Sequence, residues 1–160
     1  MGQVNERLRA LTWQDYDISK ARYKELQGFC LQYREKKREA ADLENYALAV
    51  ANGGGGSGGG SSKISRPTEE AAIRHYIKSQ QAIKDCRMIE EAAMWAANAA
   101  NYKRAWRAII RNVADGAGYD KIAGLYDLPF SAPDFYGMRR AFFHRLDQLQ
   151  RLGAEADPTI

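Results

Sequence analysis

From Thr12 to Ala51 the chain has one glycine and no proline, and apolar residues return at steps of three, four and seven: Tyr16, Tyr23, Leu26, Cys30, Tyr33, Ala40, Leu43, Ala47 and Val50. That period places them on one stripe of an α-helix. Thr12 with Asp15 three residues later has the form of a capping box, so the pattern predicts a single long helix closing an N-terminal region, residues 1–51. Residues 52–62, NGGGGSGGGSS, break the pattern. Glycine loses the most entropy on ordering and offers no side chain to bury, so residues 52–67 are expected to be a flexible tether, engineered or natural. Pro67-Thr68-Glu69-Glu70 then places Thr68 as an N-cap and two carboxylates in a first helical turn. Ile73, Tyr76, Ile83, Cys86, Ile89, Ala93 and Ala96 form the next stripe. Two comparable helices joined by a tether are expected to fold back as an antiparallel hairpin, residues 68–100 completing it.

Around Asn98–Asn101 the alanine-rich pattern loosens. It resumes over Tyr102–Ala114 with Trp106, Ile109, Ile110 and Val113, as a third helix or a bend of the second, and stops at Asp115-Gly116. A short helix over Tyr119–Tyr126 is expected to turn Ile122 and Leu125 inward. Ser131-Ala132-Pro133-Asp134, a polar cap with a carboxylate three residues on, starts a last helix running to about Arg151. Phe135, Met138, Phe142, Leu146 and Leu149 form its inner stripe, and Tyr136, Arg140 and His144 its outer side, flanked by Arg139. No alternating β-branched run occurs. The expected fold is therefore all-α: a long antiparallel helical hairpin, then a small three-helix helix-turn-helix module at 101–151 and a tail at 152–160.

Charge sharpens this picture. The formal net charge of +4 permits a polyanionic partner. Residues 101–151 carry nine cations (Lys103, Arg104, Arg107, Arg111, Lys121, Arg139, Arg140, Arg145, Arg151) against five carboxylates (Asp115, Asp120, Asp127, Asp134, Asp147), whereas residues 1–100 carry 15 Lys/Arg against 13 Asp/Glu. Cys30 and Cys86 lack any CxxC or Cys/His spacing, so they are expected to be reduced thiols inside helices. No apolar run approaches the roughly 20 residues a membrane span needs, and MGQVNERLRA has no apolar signal segment, which points to the cytoplasm. MGQVNE has the start of a myristoylation motif, but Glu6 stands where Ser or Thr is needed.

A helix-turn-helix uses a short positioning helix, a turn, and a longer helix whose inner face is core and whose outer N-terminal face reaches base edges. On that template Tyr136 and Arg140 lie one turn apart on the outer face, with His144 a turn further. Ala132 and Gly137 keep the surface low, while Arg139, Lys121 and Arg111 are placed to reach phosphates. The segment NVADGAGYDKIAGLYDLPFSAPDFYGMRRAFFHRLDQL, with its V-x-x-G-x-x-Y, L-P-x-S and F-Y-x-x-R-R-x-F-F-x-x-L elements, resembles the C-terminal part of small phage proteins of Gram-positive hosts similar to the RinA and ArpU late-gene transcription regulators. That resemblance implies a sigma region 4-like module in which the helix opened by Ser131 is the recognition helix, with Tyr136, Arg139 and Arg140 on its DNA side. At Asp127-Leu128-Pro129-Phe130 the chain departs from the family, its turn being longer than a compact sigma-type turn.

Catalytic chemistry finds no foothold in the sequence. His75 and His144 have no partner at metal spacing. The adjacent pairs Glu69-Glu70 and Glu90-Glu91 point to different helix faces, and the glycine run has neither GK[ST] nor a preceding strand. Phe135, Tyr136, Phe142 and Phe143 read as core or dimer contacts. The expected protein is thus not an enzyme and needs no cofactor or metal. It is a phage or prophage-derived transcription regulator with duplex DNA as partner, its hairpin serving self-association, most simply as a dimer, or contact with RNA polymerase, and with no membrane attachment. The alternatives are a packaging factor resembling a small terminase subunit and a helical adaptor that binds an acidic protein.

Overall fold

A computed structural model describes residues 10–51 and 69–155. The tether at 52–67, the Thr68 cap, the first nine residues and most of the 152–160 tail lie outside these described residues. Among the described residues there are six α-helices, one 3-10 turn and no strand: α1 (Lys20–Leu31), α2 (Tyr33–Ala51), α3 (Glu69–Ala99), the 3-10 turn Lys103–Ala105, α4 (Trp106–Asp115), α5 (Tyr119–Tyr126) and α6 (Ala132–Glu155). The fold is all-α. No helix among the described residues is long and apolar enough to cross a membrane.

The single helix expected from Thr12 to Ala51 is instead a turn followed by two helices. The Thr12–Asp15 box forms: the Asp15 carboxylate accepts from the Thr12 backbone N–H at 2.6 Å and from its hydroxyl at 2.7 Å. It closes only one turn, because Asp17 takes a left-handed conformation (φ 54°) and ends it, with Asp17 and Ile18 donating to the carbonyls of Gln14 and Trp13. Ser19 then recaps the chain, its hydroxyl accepting from Arg22 N–H at 3.1 Å, and α1 begins. At Gln32 the helix tightens, its N–H turning to the Phe29 and Cys30 carbonyls before α2 starts. Hydrophobic period alone carried no trace of either interruption.

The described residues divide into two compact units, residues 10–33 with 87–155, and residues 34–51 with 69–86. In the smaller unit Lys36 pairs with Asp85 and Glu39 with Lys78, so higher numbers on α2 meet lower numbers on α3 and the two run antiparallel, as a hairpin does. Ser79, Ala82, Asp85 and Cys86 are buried there, and Gln81 Nε2 also donates to Asp85. Ile73 and Tyr76, assigned to the buried stripe, are instead more than half exposed, together with Ile77.

In the larger unit α1 packs against α4 and α6, and α4 and α5 pack on α6. The core is Leu26 and Cys30 of α1, Ile89, Ala92, Ala93, Ala96 and Ala97 of α3, Ile109 and Ile110 of α4, Ile122 of α5, and Phe135, Met138, Phe142, Phe143 and Leu146 of α6. The buried face of α3 is mostly alanine, so its backbone can approach its neighbours closely. The sequence sets residues 101–151 apart as a helix-turn-helix module, one near the lower limit of size for independent stability. The structure builds that unit with residues 10–33 and 87–100 included, because α1 covers surface that three helices cannot bury by themselves.

Helix boundaries in this unit follow local chemistry. Asn101, left-handed at φ 58°, ends α3, which decides that the helix after it is separate and not a bend. Gly116, at φ 67°, ends α4 while its N–H and that of Ala117 close on the Asn112 and Arg111 carbonyls. Asp127 ends α5 in the same left-handed way. Ser131 and Asp134 form the expected cap of α6, with the Ser131 hydroxyl donating to the carboxylate at 2.6 Å. The Tyr119 hydroxyl donates to the Phe130 carbonyl, tying the start of α5 to the turn before α6.

Candidate nucleic-acid interface

The outer face of α6 is not an open recognition surface along its length. Arg139 donates from Nη2 to the Tyr23 hydroxyl at 2.8 Å, and its guanidinium lies 5.1 Å from the Phe143 ring centroid. Arg140 donates from Nε to the Leu11 carbonyl at 2.9 Å. His144 stacks on Tyr16 with ring centroids 4.7 Å apart, and its Nδ1 is buried with no hydrogen-bond partner. Residues 11–23 therefore cover three of the seven residues chosen from the sequence. Burial, aided by Asp15 and opposed by Arg140, raises the pKa of Tyr16, so the phenol stays neutral at physiological pH.

The other four are scattered. Arg111 pairs along its own helix with Asp115 at 2.9 Å. Ala132 is half-buried, Tyr136 is 37% exposed with its ring edge-on to Phe135, and Lys121 faces solvent on α5. At the N-terminal end of α6 the open positions are Pro133 and Tyr136, with the capping Ser131 before them; the helix is open again at Gln148, Arg151 and Leu152 near its other end.

Cations further along α6 are engaged in ion pairs with carboxylates of the fold. Arg145 reaches Glu91 at 3.0 Å and lies over Trp95, and Arg151 reaches Asp147 at 2.9 Å. The buried Asp147 also accepts from Arg22 Nε at 2.7 Å, while Arg22 donates to Glu25 and to Gln150. Burial works against the charge of Arg22, but its hydrogen bonds to Asp147 and Glu25 outweigh this and raise its pKa.

Elsewhere the balance differs. Lys103 and Arg104 of the 3-10 turn and Trp106 and Arg107 at the start of α4 line an open cleft of about 590 Å³ with Leu125 and Tyr126 from the end of α5 and Asp127, which caps it. Lys103, Arg104 and Arg107 are exposed, and among the described residues none of the three forms an ion pair. Lys121, one turn before Leu125 on α5, is likewise exposed without a carboxylate partner. A helix N-terminus carries positive dipole charge and favours acidic residues, yet the first turn of α4 has none. Arg107 stands in that first turn against the dipole, with Lys103 and Arg104 in the 3-10 turn just before it, so the stability of α4 does not account for this cationic run.

Sequence reasoning missed this cleft. It counted Lys103, Arg104 and Arg107 but assigned them nothing, and it turned Leu125 inward, whereas Leu125 is 59% exposed. The available signal was Lys103-Arg104-Ala105-Trp106-Arg107, a cationic run at a helix start where acidic residues are favoured. Among the described residues no group of three His, Cys, Asp or Glu side chains is placed to hold a metal ion. In comparisons with known proteins the chain matches no family model, no curated protein and no solved structure.

Proposed function

We propose that this is a DNA-binding protein that holds duplex DNA by its phosphates, on the side of the larger unit formed by the start of α4 and the exposed face of α5. The observation that carries this reading is the set Lys103, Arg104, Arg107 and Lys121: exposed, outside every ion pair of the described residues, and gathered before and within the first turns of α4 and α5, where a helix dipole favours acidic residues. Polyanionic phosphate is the ligand such a surface suits, and positioning a duplex through phosphate contacts is how most DNA-binding modules are anchored. The open first turn of α6, with Tyr136, is the remaining element able to approach a groove. The resemblance to phage late-gene transcription regulators supplies the setting of the proposal, transcription control in the cytoplasm.

The test is the salt dependence of duplex binding by the full chain. Lys121→Ala and Arg104→Ala should each weaken all duplex sequences alike and flatten the slope of log affinity against log salt by about one unit. Wild type that fails to hold duplex DNA at moderate salt, or variants with unchanged affinity and slope, would sink the reading.

A further inference from the structure

Phosphates alone would leave half of the cleft without a purpose. Between its cations lie Trp106 and Tyr126, each half-buried, and Leu125, more than half exposed. A large apolar side chain held in water beside two aromatic rings calls for a flat, apolar body, and the surrounding cations call for negative charge on the same ligand. Nucleotides combine both. In a continuous duplex, however, each base face is covered by its stacked neighbours, so only an unpaired or extruded base has a face to offer.

We infer that the cleft takes an unpaired nucleotide, its base against Trp106, Leu125 and Tyr126 and its flanking phosphates on Lys103, Arg104 and Arg107. This rests on the DNA-binding reading and adds a preference: the DNA held best is a duplex continuing into a single strand. Arg107 supports the arrangement, since its guanidinium lies 5.2 Å from the Trp106 ring centroid and extends the stacking surface while keeping its charge for phosphate. Asp127 is the one carboxylate on the lining, set against three cations. It leaves the cleft net positive and offers an acceptor to the exocyclic amino group of a base.

Three probes test this with the full chain: a blunt duplex, the same duplex carrying a short single-stranded tail with one 2-aminopurine, and the tail strand alone. Wild type should hold the tailed duplex about five- to a hundredfold more tightly than the blunt one, the range that base stacking on an aromatic side chain provides, and should quench the 2-aminopurine. Trp106→Leu and Leu125→Ala should erase most of the preference and the quenching while leaving blunt-duplex affinity in place. Leu125 is exposed, so its variant keeps the test decisive if the Trp106 variant unfolds, with circular dichroism as the check. Equal affinity of wild type for tailed and blunt duplexes overturns the inference and leaves the DNA-binding reading standing. A preference that survives both substitutions also overturns it, by placing the single strand elsewhere. Binding of the tail strand without any binding of blunt duplex supports the nucleotide site and sinks the duplex reading, and binding of none of the probes overturns both.

Discussion

Arg140 donates from Nε to the main-chain carbonyl of Leu11, across 129 positions of sequence, at 2.9 Å. The contact fastens the segment before α1 to the middle of α6, so this arginine holds the fold together where a recognition helix would have pointed it at a base. Arg140→Ala should therefore lower stability by about 1.5–3 kcal/mol, the usual value of a hydrogen bond from a charged donor, and leave duplex affinity within about twofold of wild type. Chemical denaturation and a gel shift on the same preparation measure both. A variant of unchanged stability that loses sequence-specific binding would return Arg140 to the DNA face.

Asp147 is buried between Arg22 and Arg151, accepting from the first at 2.7 Å and from the second at 2.9 Å. Removing a buried carboxylate strands its partner cation, which costs more than the pair itself contributes. Because Arg22 is only partly exposed and Arg151 largely exposed, the larger loss falls on Arg22. Asp147→Ala should destabilise by about 3 kcal/mol, and Arg151→Ala by less than about 1 kcal/mol, since an exposed pair contributes little. Equal effects in denaturant titrations would show that Asp147 does not depend on Arg22.

Helix identity was legible from local signals in the C-terminal region, where the Ser131-Asp134 cap, the Asp115-Gly116 stop and the span Tyr119–Tyr126 stand as the sequence implies, but not at Thr12–Asp15, whose box closes a single turn. What it hid was contact between distant segments. Tyr16 and Tyr23 sit on the apolar stripe of the N-terminal region, but nothing local says that they meet His144 and Arg139, more than 100 residues away. Amphipathic period shows that Arg139, Arg140 and His144 share a face opposite the Phe135–Leu146 stripe. It cannot show that another part of the chain covers that face, because a polar face packed by hydrogen bonds looks in sequence like a solvated one. The cleft was hidden for the converse reason, since Leu125 matched an inward period while α5, only two turns long, buries Ile122 and little else.

Asp15 offers a test by pH. The Thr12 backbone N–H, and after it the Thr12 hydroxyl, hold its carboxyl below the ordinary value of 3.8. A carboxylate with a depressed folded pKa adds stability that is fully present above the unfolded value and disappears as pH falls through the folded one. The loss attributable to Asp15 should therefore fall below pH 3.8, and Asp15→Asn should flatten that part of the stability profile while remaining folded at neutral pH. Thermal melts of both proteins across acidic buffers measure it. Parallel profiles would mean that the turn before α1 adds nothing to stability.

The C-terminal helices depend on the N-terminal region for part of their core. Leu26 and Cys30 are fully buried on α1, and α1 packs against both α4 and α6, so part of the core under the proposed DNA-binding face comes from the other end of the chain. A fragment of residues 101–151 loses that cover along with the alanine face of α3, and about 50 residues is already near the lower limit for a self-supporting core. It should show helical content without a cooperative melt. In the full chain, Leu26→Ala should cost about 2–5 kcal/mol, as expected for a leucine truncated inside a packed core. If α1 only decorates the surface of the C-terminal helices, the fragment will melt cooperatively near the temperature of the full chain and Leu26→Ala will cost less than about 1 kcal/mol, the range of an exposed position. Calorimetry of the fragment beside denaturant titration of the variant separates the two outcomes, and a cooperative fragment would mean that residues 10–33 are dispensable to the proposed DNA-binding face.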